Sequence, residues 1–251
     1  MQPGDPDYDR EDVRHRPSNS FRIDAKCVAP EGESRSRYPG LLLYSEIFQL
    51  TPPIRRLATQ FASHGFVVLA PEIYHEHEPA GSIIPYDEEG KARGNRYKKI
   101  TPISTFDNDA ATVVESLLQH PLCNGIVGAV GFCIGGHLAF RAALHPRIRA
   151  AAAFYATDLH SGTLGAGENA DTLARAGEIN GELLMIFGRQ DPHVPPAGRR
   201  AIYDQLSATD RRFSWHEFNA SHAFMRDEDP RYQPAAAKIC MALAMDLFRR
   251  M

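Results

Sequence analysis

Short apolar runs alternate with amphipathic stretches along most of the chain. Phe21–Ala29 (FRIDAKCVA) alternates at period two, as a half-buried strand does. Gly40–Tyr44 (GLLLY) and Phe66–Ala70 (FVVLA) are apolar throughout and read as strands covered on both faces. Between them Ile54, Leu57, Ala58 and Phe61 recur at helical spacing, and Gly65 is placed to end that helix. The rhythm continues with a helix over Phe106–His120, a strand over Gly125–Phe132, a helix over Gly135–His145 and a strand over Ile148–Ala156. A short helix over Ala170–Gly177, a strand over Gly181–Gly188, a helix over Ala197–Ser207, a strand over Arg212–Phe218 and a closing helix over Pro234–Arg250 complete it. Such alternation specifies an α/β fold, with a mostly parallel central sheet and helices on both faces. Only the polar stretch from Glu72 to Ser104 breaks the pattern. It reads as a long loop, and loops of that length inside compact domains are usually functional.

Neither a repeat nor a linker-like change of composition interrupts this pattern. One domain is expected over residues 21–251. The polar, proline-containing residues 1–20 read as a loosely ordered tail. A net charge of −3 argues against a broad basic surface, so no nucleic-acid partner is expected. The N-terminal stretch lacks the apolar core of a secretory signal, and no apolar run approaches the ~18 residues of a membrane span. A cytoplasmic protein without a membrane partner, monomeric or a small homo-oligomer, is the expectation. None of the four cysteines lies in a CxxC pair, which disfavours a disulfide framework or a thiolate zinc site. Cys27 and Cys240 read as small core residues and Cys123 as part of a turn.

Cys133 is different. It lies between Gly131 and Gly135 where an apolar strand gives way to a helix. The G-x-C-x-G pattern matches the nucleophile elbow G-x-S-x-G with cysteine in place of serine. So tight a turn strains the backbone of the nucleophile and leaves no room for side chains two positions to either side. It also sets a helix N-terminus beneath the sulfur, where free N–H groups favour a thiolate.

A nucleophilic thiol needs a base, and the base needs an orienting group. Asp191 follows the strand ending at Gly188, and His222 follows the strand ending at Phe218. Both fall at the carboxyl edge of the sheet with Cys133, in the chain order nucleophile, acid, histidine. Asp158 is a rival for the acid. His193 reads as a wall of the site, His216 as a strand residue and His137 as a packing residue. His75 and His77, in HEHE, have the look of a metal pair but lack a third placed ligand, so no metal is assigned. Glu46 stands just past a strand beside the elbow. The backbone amides of Ile47 and Ile134 are then the candidates for an oxyanion hole.

Four co-ordered segments resemble the dienelactone hydrolase family of α/β-hydrolases: SEIFQL (45–50), GFCIGGHLAF (131–140), GRQDPHVP (188–195) and SHAFMRD (221–227). The resemblance implies a single α/β-hydrolase domain that cleaves a small-molecule ester or lactone without a cofactor. It implies a Cys133–Asp191–His222 triad, a Glu46 carboxylate that interacts with the thiol, and the Ile47 and Ile134 amides as oxyanion donors. The family's namesake opens dienelactone to maleylacetate and holds the substrate carboxylate with two arginines. Arg226 matches one of them. At the place of the other this chain reads PEIYHEHEPAG (71–81), without an arginine: either a protonated His75 or His77 substitutes in part, or, the favoured expectation, the substrate differs. Arg93, Arg96, Tyr97 and Lys98 are further candidates for an anion contact. A hydrolase fold that keeps the pocket without turnover, or a thiol redox sensor, is the alternative.

Overall fold

The computed structural model describes the backbone of residues 12–15, 23–28 and 37–251, and side chains from residue 37 onward. Its strands are β1 (Asp12–His15), β2 (Ile23–Val28), β3 (Tyr38–Tyr44), β4 (Val67–Pro71), β5 (Cys123–Phe132), β6 (Ile148–Phe154), β7 (Glu182–Gly188) and β8 (Phe213–Phe218). The helices are α1 (Pro52–Ser63), α2 (Glu88–Ile100), α3 (Ile103–Gln119), α4 (Ile134–Ala142), α5 (Pro196–Ser207) and α6 (Pro234–Arg249). The strands form one sheet in the order β1-β2-β4-β3-β5-β6-β7-β8. From β4 to β8 the pairing is parallel; β1 and β2 are added antiparallel at one edge.

The apolar runs are buried on both faces because successive side chains leave a strand on opposite sides. Leu42 and Tyr44 of β3 join one core cluster, Leu41 and Leu43 the other. In β6, Ala151 and Ala153 face the first cluster, and Ala150, Ala152 and Phe154 the second. Helices α3, α4 and α5 cover the first face, and α1 and α6 the second. In-register pairing of Tyr44 with Gly131, Phe132 with Phe154, Phe154 with Ile186 and Gly188 with Phe218 aligns the strand ends. The loops that follow therefore open along one rim. This is how residues from distant parts of the chain come together.

Several expectations need correction. The stretch from Glu72 to Ser104 is not all loop, since it contains α2. The buried positions of α2 are Gly90, Gly94 and Tyr97, spaced as a helix requires but without an apolar stripe. Its signal is at the ends: Asp87 accepts a hydrogen bond from the Gly90 N–H at 2.7 Å, acidic Glu88 and Glu89 open the helix, and Lys98 and Lys99 close it. Residues 170–177 form turns and a 3-10 segment, Ala176–Glu178, in place of a helix. Asp171 and Thr172 there each bind the guanidinium of Arg141 at 2.9 Å, which holds the segment as a bracket on α4. Cys123 is buried at the start of β5 and does not belong to a turn. Cys240 is buried in α6, while the side chain of Cys27 and most of the expected N-terminal tail lie outside the described residues. Within that tail, Asp12–His15 pair with β2.

Candidate active site

Cys133 joins β5 to α4 with φ 62 and ψ −121, a backbone that L-residues rarely adopt. The turn is held by backbone bonds: Cys133 N–H donates to Phe154 O at 3.1 Å, and the Cys133 carbonyl accepts from Gly136 N–H at 3.0 Å. A Cβ at Gly131 would lie 1.9 Å from the Gly135 carbonyl oxygen, and one at Gly135 2.4 Å from Ser45 O. Only hydrogen at these two positions lets the turn close against itself and against the loop after β3. Ile134 opens α4, so its N–H has no acceptor within the helix.

His222 and Asp191 stand on the loops after β8 and β7. His222 Nδ1 is 2.7 Å from Asp191 Oδ2, and the buried pair is braced by the His193 N–H donating to Asp191 Oδ1 at 2.8 Å. The sulfur of Cys133 is within hydrogen-bonding reach of the same imidazole. Burial disfavours the charged imidazole, but negative charge on the sulfur and the Asp191 carboxylate outweigh it and push the His222 pKa up to about 10. Burial acts to raise Asp191, and the bond from His222 overcomes it, holding the carboxyl below its ordinary value. His193 packs edge-on against His222, ring centroids 4.6 Å apart; burial and the His222 charge lower its pKa. The rival acid Asp158 is bound to Lys98 Nζ at 2.7 Å, and His137 is buried in α4 with Nδ1 3.0 Å from Thr157 O.

Glu46 is buried, and its Oε2 accepts from Arg226 Nε at 2.8 Å. No hydrogen bond joins Glu46 to the Cys133 thiol among the described residues. Glu46 Oε1 has no hydrogen-bond partner there.

A cavity of about 460 Å³ opens over the sulfur, lined by Cys133, His193, His222, Ile47 and Arg226 together with residues of α2 and of the loop after Arg226. The model of the dienelactone hydrolase family matches residues 23–251. The chain belongs to the dienelactone hydrolase family.

A Saccharomyces cerevisiae protein named "Putative carboxymethylenebutenolidase" is 39% identical over 95% of this chain and 90% of its own length. The "Carboxymethylenebutenolidase" of Pseudomonas sp. (strain P51) is 26% identical, with 87% of each chain covered. A solved "Putative Dienelactone Hydrolase" from Klebsiella pneumoniae superposes with TM-score 0.82 at 21% identity, covering 96% of this chain and 98% of that one, a likeness of fold.

Against the expectations for this dienelactone hydrolase family member, His75 and His77 fall away from the cavity. His75 Nε2 lies 3.0 Å from Asp109 Oδ2 with both side chains almost fully buried, and His77 Nε2 lies 2.9 Å from Thr101 Oγ1 with its ring stacked on Tyr97. They tie the segment after β4 to α3 and to the end of α2, and the substitute-arginine role for them is withdrawn. Of the basic residues of α2 named from the sequence, Arg93 pairs with Glu78 and Lys98 reaches the cavity. Sequence reasoning missed the cage around Arg226: Tyr86 at 4.2 Å and Phe48 at 5.2 Å from ring centroid to guanidinium carbon, and Asp229 Oδ2 at 3.0 Å from Nη1. The i,i+3 spacing of Arg226 and Asp229 was the available signal.

Proposed function

We propose that the protein is a cofactor-independent hydrolase of a small-molecule ester or lactone, working through Cys133, His222 and Asp191 by way of an acyl-thioenzyme. The thiolate attacks the carbonyl carbon, and the carbonyl π electrons move onto oxygen. The N–H groups of Ile47 and Ile134 hold that oxyanion, each contributing on the order of 3 kcal/mol. As the tetrahedral adduct collapses, His222 gives its proton to the leaving alkoxide. It then takes a proton from water, which attacks the thioester and releases the acid. Asp191 keeps the imidazole oriented through Nδ1 and leaves Nε2 for the sulfur and the leaving oxygen. Glu46 anchors Arg226 beside the site, and the proton that His222 gives up is the one it took from the Cys133 thiol. A thiolate is both a strong nucleophile and a good leaving group, which suits activated esters such as enol lactones better than amides.

The observation that carries this reading is the strained Cys133 at φ 62 set against an imidazole that is itself 2.7 Å from Asp191. Carboxymethylenebutenolidase naming among the relatives adds lactones to the candidate substrates. In a direct test, Cys133→Ala should lose hydrolysis of an activated aryl ester by about 10⁴-fold or more in kcat, and Cys133→Ser should keep a weak esterase. Wild-type turnover by Cys133→Ala would sink the assignment.

A further inference from the structure

Far from the cavity mouth the sheet ends at β8, which among the described residues pairs with β7 and with no other strand. Every residue of β8 is at least partly exposed. The Arg212 carbonyl accepts from Leu183 N–H at 3.0 Å and the Phe218 carbonyl from Arg189 N–H at 2.8 Å, so the even-numbered residues turn their backbone groups toward β7. The N–H and C=O groups of Phe213, Trp215 and Glu217 therefore point outward, and no described residue pairs with them. Proteins that stay single guard such an edge with proline, lysine, a bulge or a covering segment. β8 reads FSWHEF, with neither proline nor lysine, and its register with β7 is unbroken from Leu183 opposite Phe213 to Gly188 opposite Phe218. Phe213 and Trp215 are only half-covered, by Tyr203 of α5 with ring centroids 5.7 and 5.4 Å away, and Tyr203 is itself 41% exposed.

We infer that β8 is a docking edge for a second copy of this chain, the two strands pairing antiparallel about a twofold axis beside Ser214. Parity and charge set the register. Only odd-numbered residues offer outward backbone groups, so they face odd-numbered residues of the other copy. With Ser214 at the axis, Phe213 of one copy lies opposite Trp215 of the other and Arg211 opposite Glu217, and the symmetry repeats both pairs. Aromatic then meets aromatic and cation meets carboxylate, the pairings that stabilise directly opposed strand positions. Arg211 has no carboxylate of its own among the described residues, and Glu217, 3.3 Å from Arg199 Nε, is still exposed. Moving the axis to Trp215 would set Glu217 opposite Phe213 and Arg211 opposite Asn219, and lose the charge pairs. On the reverse face Arg212, 4.0 Å from Glu182, comes opposite His216. A strand of unrelated sequence would satisfy the same backbone groups, but the self-complementary side chains single out a second copy.

The test uses the full chain. Sedimentation at high micromolar concentration should give twice the 27.9 kDa mass of one chain, and dilution should return the monomer. Hydrogen exchange then locates the contact. The amides of Phe213, Trp215 and Glu217 should slow by about tenfold or more from the dilute to the concentrated sample, while those of Ser214, His216 and Phe218 stay protected in both. Phe213→Pro removes an outward N–H and an aromatic ring but none of the bonds to β7, and should abolish the dimer. Arg211→Glu leaves the backbone intact, sets like charges opposite each other and should weaken association by about tenfold or more. Association unchanged in Arg211→Glu, or in a folded Phe213→Pro, would overturn the inference. So would a dimer whose odd-numbered amides stay open, since it would use another surface. A monomer at every concentration with those amides open would overturn it too, and leave the edge to a strand of another protein. Protection independent of concentration would mean that the chain covers its own edge, again against the inference. Each of these failures leaves the hydrolase reading standing.

Discussion

The back and the front of the cavity are held by different forces. At the back, backbone meets backbone: the elbow closes because Gly131 and Gly135 have no Cβ, and the loops bearing Asp191 and His222 start where sheet register puts them. At the front, α2 and the loop after β6 are joined by ion pairs, Lys98 to Asp158 and Lys99 to Glu168 at 2.7 Å each, beside two backbone bonds, Gly165 N–H to Lys98 O at 3.2 Å and Ala166 N–H to Thr101 O at 2.9 Å. Backbone geometry tolerates almost no substitution, whereas ion pairs can be exchanged one residue at a time. On the hydrolase reading, the reaction is written into the back and the choice of substrate into the front. The contrast makes a graded set of predictions.

The largest effect belongs at the back. Gly131→Ala places a Cβ 1.9 Å from the Gly135 carbonyl, a distance at which the backbone itself must move. Opening the elbow displaces Cys133 and the first turn of α4 together. We expect ester hydrolysis to fall about 10³-fold or more and the protein to lose about 3–5 kcal/mol of stability, read by denaturant unfolding. Retained activity would mean that the elbow is held by something other than close approach.

The same division explains what the sequence revealed. Two-sided strands appear as unbroken apolar runs, such as GLLLY, and the elbow as glycines around one cysteine, because each of these constraints is local. Asp191 and His222 were legible because a strand end can be read from sequence and the sheet does the rest. Helix α2 was not, because its inward face is made of Gly90, Gly94 and Tyr97, and glycine adds nothing to a hydrophobic pattern. The partners of Arg226, Lys98 and His75 were hidden for a different reason. Glu46 is 180 residues from Arg226, and Asp158 is 60 from Lys98. Only the folded chain says which charge meets which. His75, placed in the site by position alone, turned instead to Asp109, since a buried imidazole takes the carboxylate within reach.

Proton chemistry draws the line more finely. His222 has a folded-state pKa of about 10, raised from its ordinary value by the Cys133 sulfur and Asp191 against the effect of burial. Removing the sulfur removes the largest of the raising contributions. NMR titration should find the His222 pKa well below that of the wild type in Cys133→Ala. Because the folded pKa is the higher one, the stability contributed by the charged imidazole is fully present below about pH 6.5. It is lost as pH rises through about 10. The advantage of wild type over His222→Gln in denaturant unfolding should therefore shrink between pH 7 and pH 10. At the front, burial acts to raise Asp158 but Lys98 outweighs it and lowers the carboxyl, so Asp158 stays ionised through the same pH window. An identical His222 titration in wild type and Cys133→Ala would show that the sulfur and imidazole are not electrostatically joined.

The smallest expected effect lies where the two regions touch. A Cβ at Gly94 would come 2.4 Å from the carbonyl oxygen of Ile47 and 3.0 Å from its Cβ, so α2 rests directly on the loop proposed to supply an oxyanion donor. Gly94→Ala should favour α2 as a helix by about 1 kcal/mol, but a Cβ 2.4 Å from a backbone carbonyl oxygen makes the helix and the loop move apart. The clash outweighs that gain, so overall stability should fall by about 1–3 kcal/mol. Activity should fall with it, since a donor moved off the developing charge loses part of the ~10²–10³-fold that a whole donor is worth. A fall of about tenfold in kcat with KM little changed would mean that α2 presses the Ile47 amide into place. A change confined to KM would mean that the front acts on substrate alone, and that the two regions are mechanically independent even where they meet.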